Sequence, residues 1–248
     1  MSAKTVKRLN ILLTGMILWL FLWSCGMPSS EYLYPPAAFE DLGGALKLTH
    51  DGRNLQDAFI QTLFRGYEFY YRCFASEQDA QNSRQRLDSL ASTYEYTPET
   101  FIRQIAASGY VRLPRLLDDL NTTDNSMPPL IWKSYLADLG ASEFTLHLYP
   151  NRRWTISSDK DLSEEEPLIQ TIVRNKKTED QVGWSDFSQR DSYAVGDSDF
   201  SSNASLLPGQ PVYIVLCAVS YGASQESLGV ILYSEPRILG PIAYYPEG

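Results

Sequence analysis

The sequence predicts a mainly β protein: an antiparallel β-sandwich with an inserted α-helical hairpin and extra strands. Two stretches of two-residue alternation predict it. In GYEFYYRCF (66–74), Tyr67, Phe69, Tyr71 and Cys73 take one side and Glu68, Tyr70, Arg72 and Phe74 the other. In LLPGQPVYIVLCAVSYG (206–222), Pro208-Gly209 makes a turn, after which Val212, Ile214, Leu216 and Ala218 alternate with Tyr213, Val215 and Cys217. Such alternation marks strands with one buried face. The third observation is the distance between them: about 130 residues, far too many for one sandwich connection.

The chain begins with Lys4, Lys7 and Arg8 and no acid, then runs uncharged from Leu9 to Ser24. A basic start followed by a short apolar run is the pattern of an export signal. The run is shorter than the roughly 20 apolar residues of a spanning helix, and Asn10 and Thr14 weaken its start. Leu22-Trp23-Ser24-Cys25 resembles a bacterial lipobox. Trp23 departs from the usual small or β-branched residue, a looseness that spirochaetal lipoproteins tolerate. The resemblance implies cleavage before Cys25, so that 1–24 is a lipoprotein signal peptide. It also implies attachment of lipid to the Cys25 thiol, with further acyl chains such as palmitate on the same residue. An uncleaved anchor or an ordinary cleaved signal would leave the position of Cys25 to coincidence. MPSSEYLYPP follows, and residues 25–36 read as a tether of Ser and Pro.

Loss of residues 1–24 removes three basic residues and no acid, taking the net charge from −9 to −12. A body so acidic repels nucleic acid and anionic surfaces. Hydrophobic residues at 44% suffice for a core, and a body of this length fits one elaborated domain or two small ones. We read a single sandwich over 32–245, with 75–205 as a large insertion.

Element by element, YPPAAFEDLGGALKLTH (34–50) supplies the first two strands and 66–74 the third. A helix over about 77–92 starts on Ser76 as N-cap and carries Ala80, Leu87, Leu90 and Ala91 on one stripe. A second, about 98–108, has Thr97 as N-cap, Pro98 at its first position, Phe101, Ile102 and Ile105 inward and Gly109 as its stop. DDLNTTDNSMPP (118–129) is a loop by composition. EFTLHLYPNRRWTISS (143–158) reads as a hairpin and 167–175 as a further strand. The tract 176–203 is polar, dotted with Trp184, Phe187, Tyr193 and Phe200.

With these elements in place, the chain resembles a fibronectin type III domain. GYEFYYR matches the family's third strand, G-Y-x-φ-x-Y-R. Leu206, Pro208, Gly209, Ile214, Leu216, Ala218 and Val219 follow the pattern of its sixth. Val212 stands where the family has a corner tyrosine, so that tyrosine's bond is absent or replaced. SEPRILGPI (234–242) resembles the last strand. The resemblance implies that 66–74 and 211–220 are adjacent and antiparallel, with the insertion between the third and sixth strands. Another antiparallel sandwich remains the alternative. In this register Cys73 faces the sandwich core and Cys217 faces away from it. Cysteines on opposite sheet faces cannot be bridged, so two thiols are expected.

Candidate chemistry is sparse. His50 and His147 lack a metal-site motif, and His147 alternates outward. There is no G-x-S-x-G, Walker loop or G-x-G-x-x-G. Asp118-Asp119 and Glu164-Glu165-Glu166 read as solvated acids; a glycosidase needs two carboxylates across a cleft. DSDFSSN (197–203) lacks the ligand ladder of an EF-hand. Asn121 and Asn203 begin glycosylation sequons of no consequence in a bacterial protein. We assign no catalytic residue, metal or cofactor. Trp184, Phe187, Tyr193 and Tyr221, in 176–203 and 220–229, are the binding candidates, with capping of the sandwich ends as the structural alternative. The sequence thus reads as a lipid-anchored cell-envelope protein, non-enzymatic, with a binding or structural role. Its expected partners are the membrane, through Cys25, and an envelope protein or glycan, not nucleic acid. The alternative is an envelope hydrolase acting on glycans or peptidoglycan through a carboxylate pair in the insertion.

Overall fold

The structure is a computed structural model and describes residues 31–113, 130–160, 170–178, 181–225, 227 and 229–246. The signal segment, Cys25, the 118–129 loop and the start of the 167–175 strand lie outside the described residues.

Strands β1 (Ala38–Asp41) and β2 (Ala45–Thr49) form a hairpin; helices α1 (Arg53–Gln56) and α2 (Ile60–Leu63) are single turns before β3 (Phe64–Phe74). Helices α3 (Glu77–Thr93) and α4 (Pro98–Ala107) form the expected helical hairpin. The short strands β4 (Val111–Arg112) and β5 (Ile131–Trp132) precede α5 (Lys133–Leu139). Then come β6 (Glu143–His147), β7 (Trp154–Ser158), β8 (Gln170–Ile172), β9 (Arg174–Thr178), β10 (Gln181–Ser185) and β11 (Phe200–Ser201). The chain closes with β12 (Val212–Ala223), β13 (Ile231–Tyr233) and β14 (Arg237–Tyr244).

Two large sheets and a two-stranded one result among the described residues, and the fold is sandwich-like. One runs β1-β2-β6-β7-β8, antiparallel throughout. The other centres on β3 and β12, antiparallel from Tyr213 opposite Phe74 to Gly222 opposite Phe64. β14 lines the other side of β12, and β11 runs parallel to β3. The pairing of 66–74 with 211–220 is as expected. β9 and β10 form a separate hairpin.

The alternation explains the layering. Tyr67, Phe69, Tyr71, Cys73, Val212, Ile214, Leu216 and Ala218 share one core with Leu46, Leu48, Phe144, Leu146, Trp154 and Ile156 of the first sheet. Tyr70, Phe74, Val215, Cys217 and Val219 take the opposite face, under Ala80, Leu87, Phe101, Ile102 and Ile105 of α3 and α4. Cys217 does face away from the sandwich core, but the helical hairpin covers it and it is fully buried. Alternation separates two faces; it does not say what lies over either.

Local signals decide the helix starts. Ser76 Oγ accepts the Asp79 N–H at 3.3 Å, the expected cap. Thr97 makes no such bond, so Pro98 alone sets the start of α4. Gly109 stops the hairpin at φ 82°, where a side chain would be strained.

One boundary differs from the sequence reading. Leu33 is fully buried, and Asn54 brackets Tyr34, accepting its N–H at 3.0 Å and donating to its carbonyl at 2.8 Å. The tether therefore ends before Leu33, not at residue 36. The 75–205 segment contributes to the first sheet: β6 lies beside β2, with Lys47 Nζ 3.0 Å from Glu143 Oε1. Tyr244, opposite Val212 in β14, donates its hydroxyl to the Tyr149 carbonyl at 2.7 Å.

Candidate functional site

Two of the four aromatic binding candidates, Phe187 and Tyr193, lie inside the fold. Phe187 is fully buried, stacked on Trp154 with ring centroids 3.8 Å apart and planes within 5°. Tyr193 is buried as well and donates its hydroxyl to the Phe187 carbonyl at 3.0 Å. Both cap the core, which removes them as contact residues. Trp184 lies in β10 opposite Asn175. Tyr221 is half-buried, its ring 5.9 Å from that of Tyr233. The structure therefore brings Phe187 and Tyr193 together and leaves Tyr221 apart. His147 stacks on Tyr149 and shares a 3.1 Å hydrogen bond with Ser157 Oγ, a structural arrangement.

Under Tyr193 lies a charged centre that the sequence did not announce. Arg174, first residue of β9, is fully buried. Its Nε and Nη2 donate to the two oxygens of Asp199 at 2.9 and 2.7 Å, a bidentate pair. Nη1 donates to the Ser192 carbonyl and Oγ, both at 2.8 Å, and Nη2 lies 3.4 Å from Asp197 Oδ2. Tyr71 donates to Asp199 at 2.7 Å, and the guanidinium sits 3.8 Å over the Tyr193 ring. Burial pushes the Arg174 pKa down, but Tyr193 and Asp199 more than offset it and hold the group charged. Geometry of this kind is what a buried ion pair requires. The signal for it was an arginine directly after the apolar run LIQTIV, with two aspartates in DSD downstream.

A second buried charge lies on the helix-covered face. Glu68 accepts the Tyr70 hydroxyl at 2.8 Å and pairs with Arg112 at 2.6 Å. Burial raises its pKa, against the opposing pull of Arg112 and Tyr70.

The third polar cluster joins the end of β2 to β3. Asp51 N–H donates to the Tyr67 oxygen at 3.2 Å, and the Tyr67 hydroxyl and His50 Nδ1 share a hydrogen bond at 2.7 Å. His50 itself is largely buried, and its Nε2 has no hydrogen-bond partner among the described residues. Burial lowers its pKa from 6.5 to about 4, although Asp51 opposes the shift. The unfolded chain thus binds a proton between these two values that the folded protein does not. Stability from this site is complete above pH 6.5 and is lost as the pH falls towards 4. Discounted for partial exposure, the loss is about 2 kcal/mol. Urea denaturation between pH 7 and 4 should show a steeper decline for the wild type than for His50→Phe; equal slopes would contradict the placement.

Neither remaining cysteine offers a nucleophile. Cys73 and Cys217 are free, fully buried and on opposite faces of one sheet, and burial pushes both thiols well above their usual pKa. Both should resist labelling in the native protein. Unfolding should expose both thiols to the same label.

Among the described residues, no three His, Cys, Asp or Glu side chains are placed to hold a metal ion. Among them, too, no helix is long and apolar enough to cross a membrane. Asp197 and Asp199 are buried and paired with Arg174, while Asp118-Asp119 and Glu164-Glu165-Glu166 lie outside the described residues. No protein-family model, no curated protein and no solved structure matches this chain.

Proposed function

We propose that this is a lipid-anchored cell-envelope protein, with a fibronectin type III-like sandwich in a non-enzymatic, binding or structural role. The observation that carries the anchor is Leu22-Trp23-Ser24-Cys25 at the end of a basic-then-apolar leader. Two or three acyl chains on one residue hold a protein stably where a single chain binds reversibly. The sheet partition supports the family likeness: sandwiches of this class place their first, second and fifth strands in one sheet and their third, sixth and seventh in the other. Here β1, β2 and β6 lie together, as do β3, β12 and β14. The non-enzymatic role is supported by the inward engagement of the buried charges: Arg174 takes up Asp197 and Asp199, and Arg112 takes up Glu68. An envelope protein or glycan is the expected partner.

The test is processing. The wild type should partition into a detergent phase and lack Met1–Ser24. Cys25→Ala should retain the leader and accumulate as the longer precursor. Equal processing of the two would defeat the reading.

A further inference from the structure

We propose that the end of the sandwich at which the chain enters the body rests on the bilayer surface, with Tyr32, Phe59, Val230 and Ile231 seated among the lipid headgroups. This deepens the lipid-anchor reading and rests on it. The entry point is fixed by close packing. A Cβ added at Gly222 would lie 2.6 Å from the Leu63 carbonyl oxygen and 2.9 Å from Leu33 Cδ1, so these three residues meet with no space between them. Ser220 Oγ donates to the Tyr34 carbonyl, which Asn54 also holds. The chain therefore leaves the body at the Gly222 end of β12.

Apolar side chains gather at that end. Tyr32 directly precedes Leu33, and Phe59 lies one turn before Leu63. Ile231 pairs with Ala223, the neighbour of Gly222, and Val230 precedes it. Their exposures are 38, 39, 47 and 43% for Tyr32, Phe59, Val230 and Ile231, four of the nine large apolar or aromatic side chains exposed among the described residues. Tyrosine and aliphatic groups of this kind favour the membrane interface.

Length and charge point the same way. Seven residue steps separate Cys25 from Tyr32, a span of at most about 25 Å. The opposite end, at Leu207 and Tyr245, lies a further 35–40 Å or so away along β12 at about 3.3 Å per residue. The mature chain is strongly acidic, yet exposed Arg65 and half-buried Lys133 lie together at this end, with Lys133 Nζ donating to the Gln61 carbonyl. Asp57, the nearest acid in sequence to Phe59, is turned back onto the Phe59 and Ile60 N–H groups at 2.9 and 3.0 Å.

The experiment uses the lipidated full chain in phosphatidylethanolamine–phosphatidylglycerol vesicles, with a fluorophore on Ile231→Cys or, at the far end, on Leu207→Cys. The expected result at 231 is several-fold stronger quenching by a headgroup-level nitroxide lipid than at 207, together with protection from aqueous iodide. Equal exposure of both positions to iodide, without lipid quenching, would overturn the seating. So would protection at 231 without lipid quenching, because a protein, such as a second copy, would then cover the surface. The N-terminal mass of the same sample separates the failures. Lipid on Cys25 with no quenching overturns the seating alone; no lipid overturns the anchor and the seating together.

Discussion

Arg174→Met is expected to cost about 3–5 kcal/mol, the usual loss when one partner of a buried ion pair is removed. The whole folding free energy of such a domain is only about 5–15 kcal/mol. The side chain is buried among Asp199, Asp197 and Ser192, so its removal takes from two buried carboxylates the cation that they share. The Tyr71 hydroxyl would then be the main remaining partner of Asp199 among the contacts described. The penalty comes from stranded charge, not lost volume, so it should be relieved by neutralising the partners. The triple variant Arg174→Met, Asp197→Asn, Asp199→Leu should recover much of the loss in urea denaturation. A single variant within about 1 kcal/mol of wild type would mean that the carboxylates reach solvent. Asp88→Ala, which removes a half-exposed partner of Arg84 on α3, should shift the midpoint only slightly.

Trp154→Ala should have an effect of similar size, about 3–5 kcal/mol, from a different cause: a cavity the surroundings cannot fill. Trp154 sits on β7 opposite Ile172, stacked on Phe187, with the Tyr244 ring edge-on at 5.1 Å. Removing the indole would empty the space between the first sheet and the segment that caps it. Its Nε1–H is buried with no hydrogen-bond partner among the described residues. Trp154→Phe therefore gives up volume without breaking a hydrogen bond and should cost much less than Ala. The two midpoints in one denaturant series check this; equal losses would mean that the indole nitrogen has a partner.

How much of this could be read from sequence depends on the range of each interaction. Strands 66–74 and 212–219 were legible because alternation is a local property that burial of one face enforces. The α3 start was legible for the same reason, since the Ser76 cap reaches only three residues on. The pairing of β2 with β6 joins Lys47 to Glu143 and carries no local mark. The tract 176–203 took no element assignment because its aromatics follow no period, which left binding and capping of the sandwich ends both open. Phe187 and Tyr193 are buried by Trp154 and Arg174, both distant in sequence from at least one of them. Arg174 was missed because a charged residue after an apolar run ordinarily marks the end of a buried strand. Here its counter-charges come from DSD, more than twenty residues on.

The anchor is tested most directly by the mass of the mature N-terminus, measured on protein extracted from membranes. The account predicts a lipid-modified peptide that begins at Cys25. An unmodified terminus at any other residue, or an intact Met1, would contradict it.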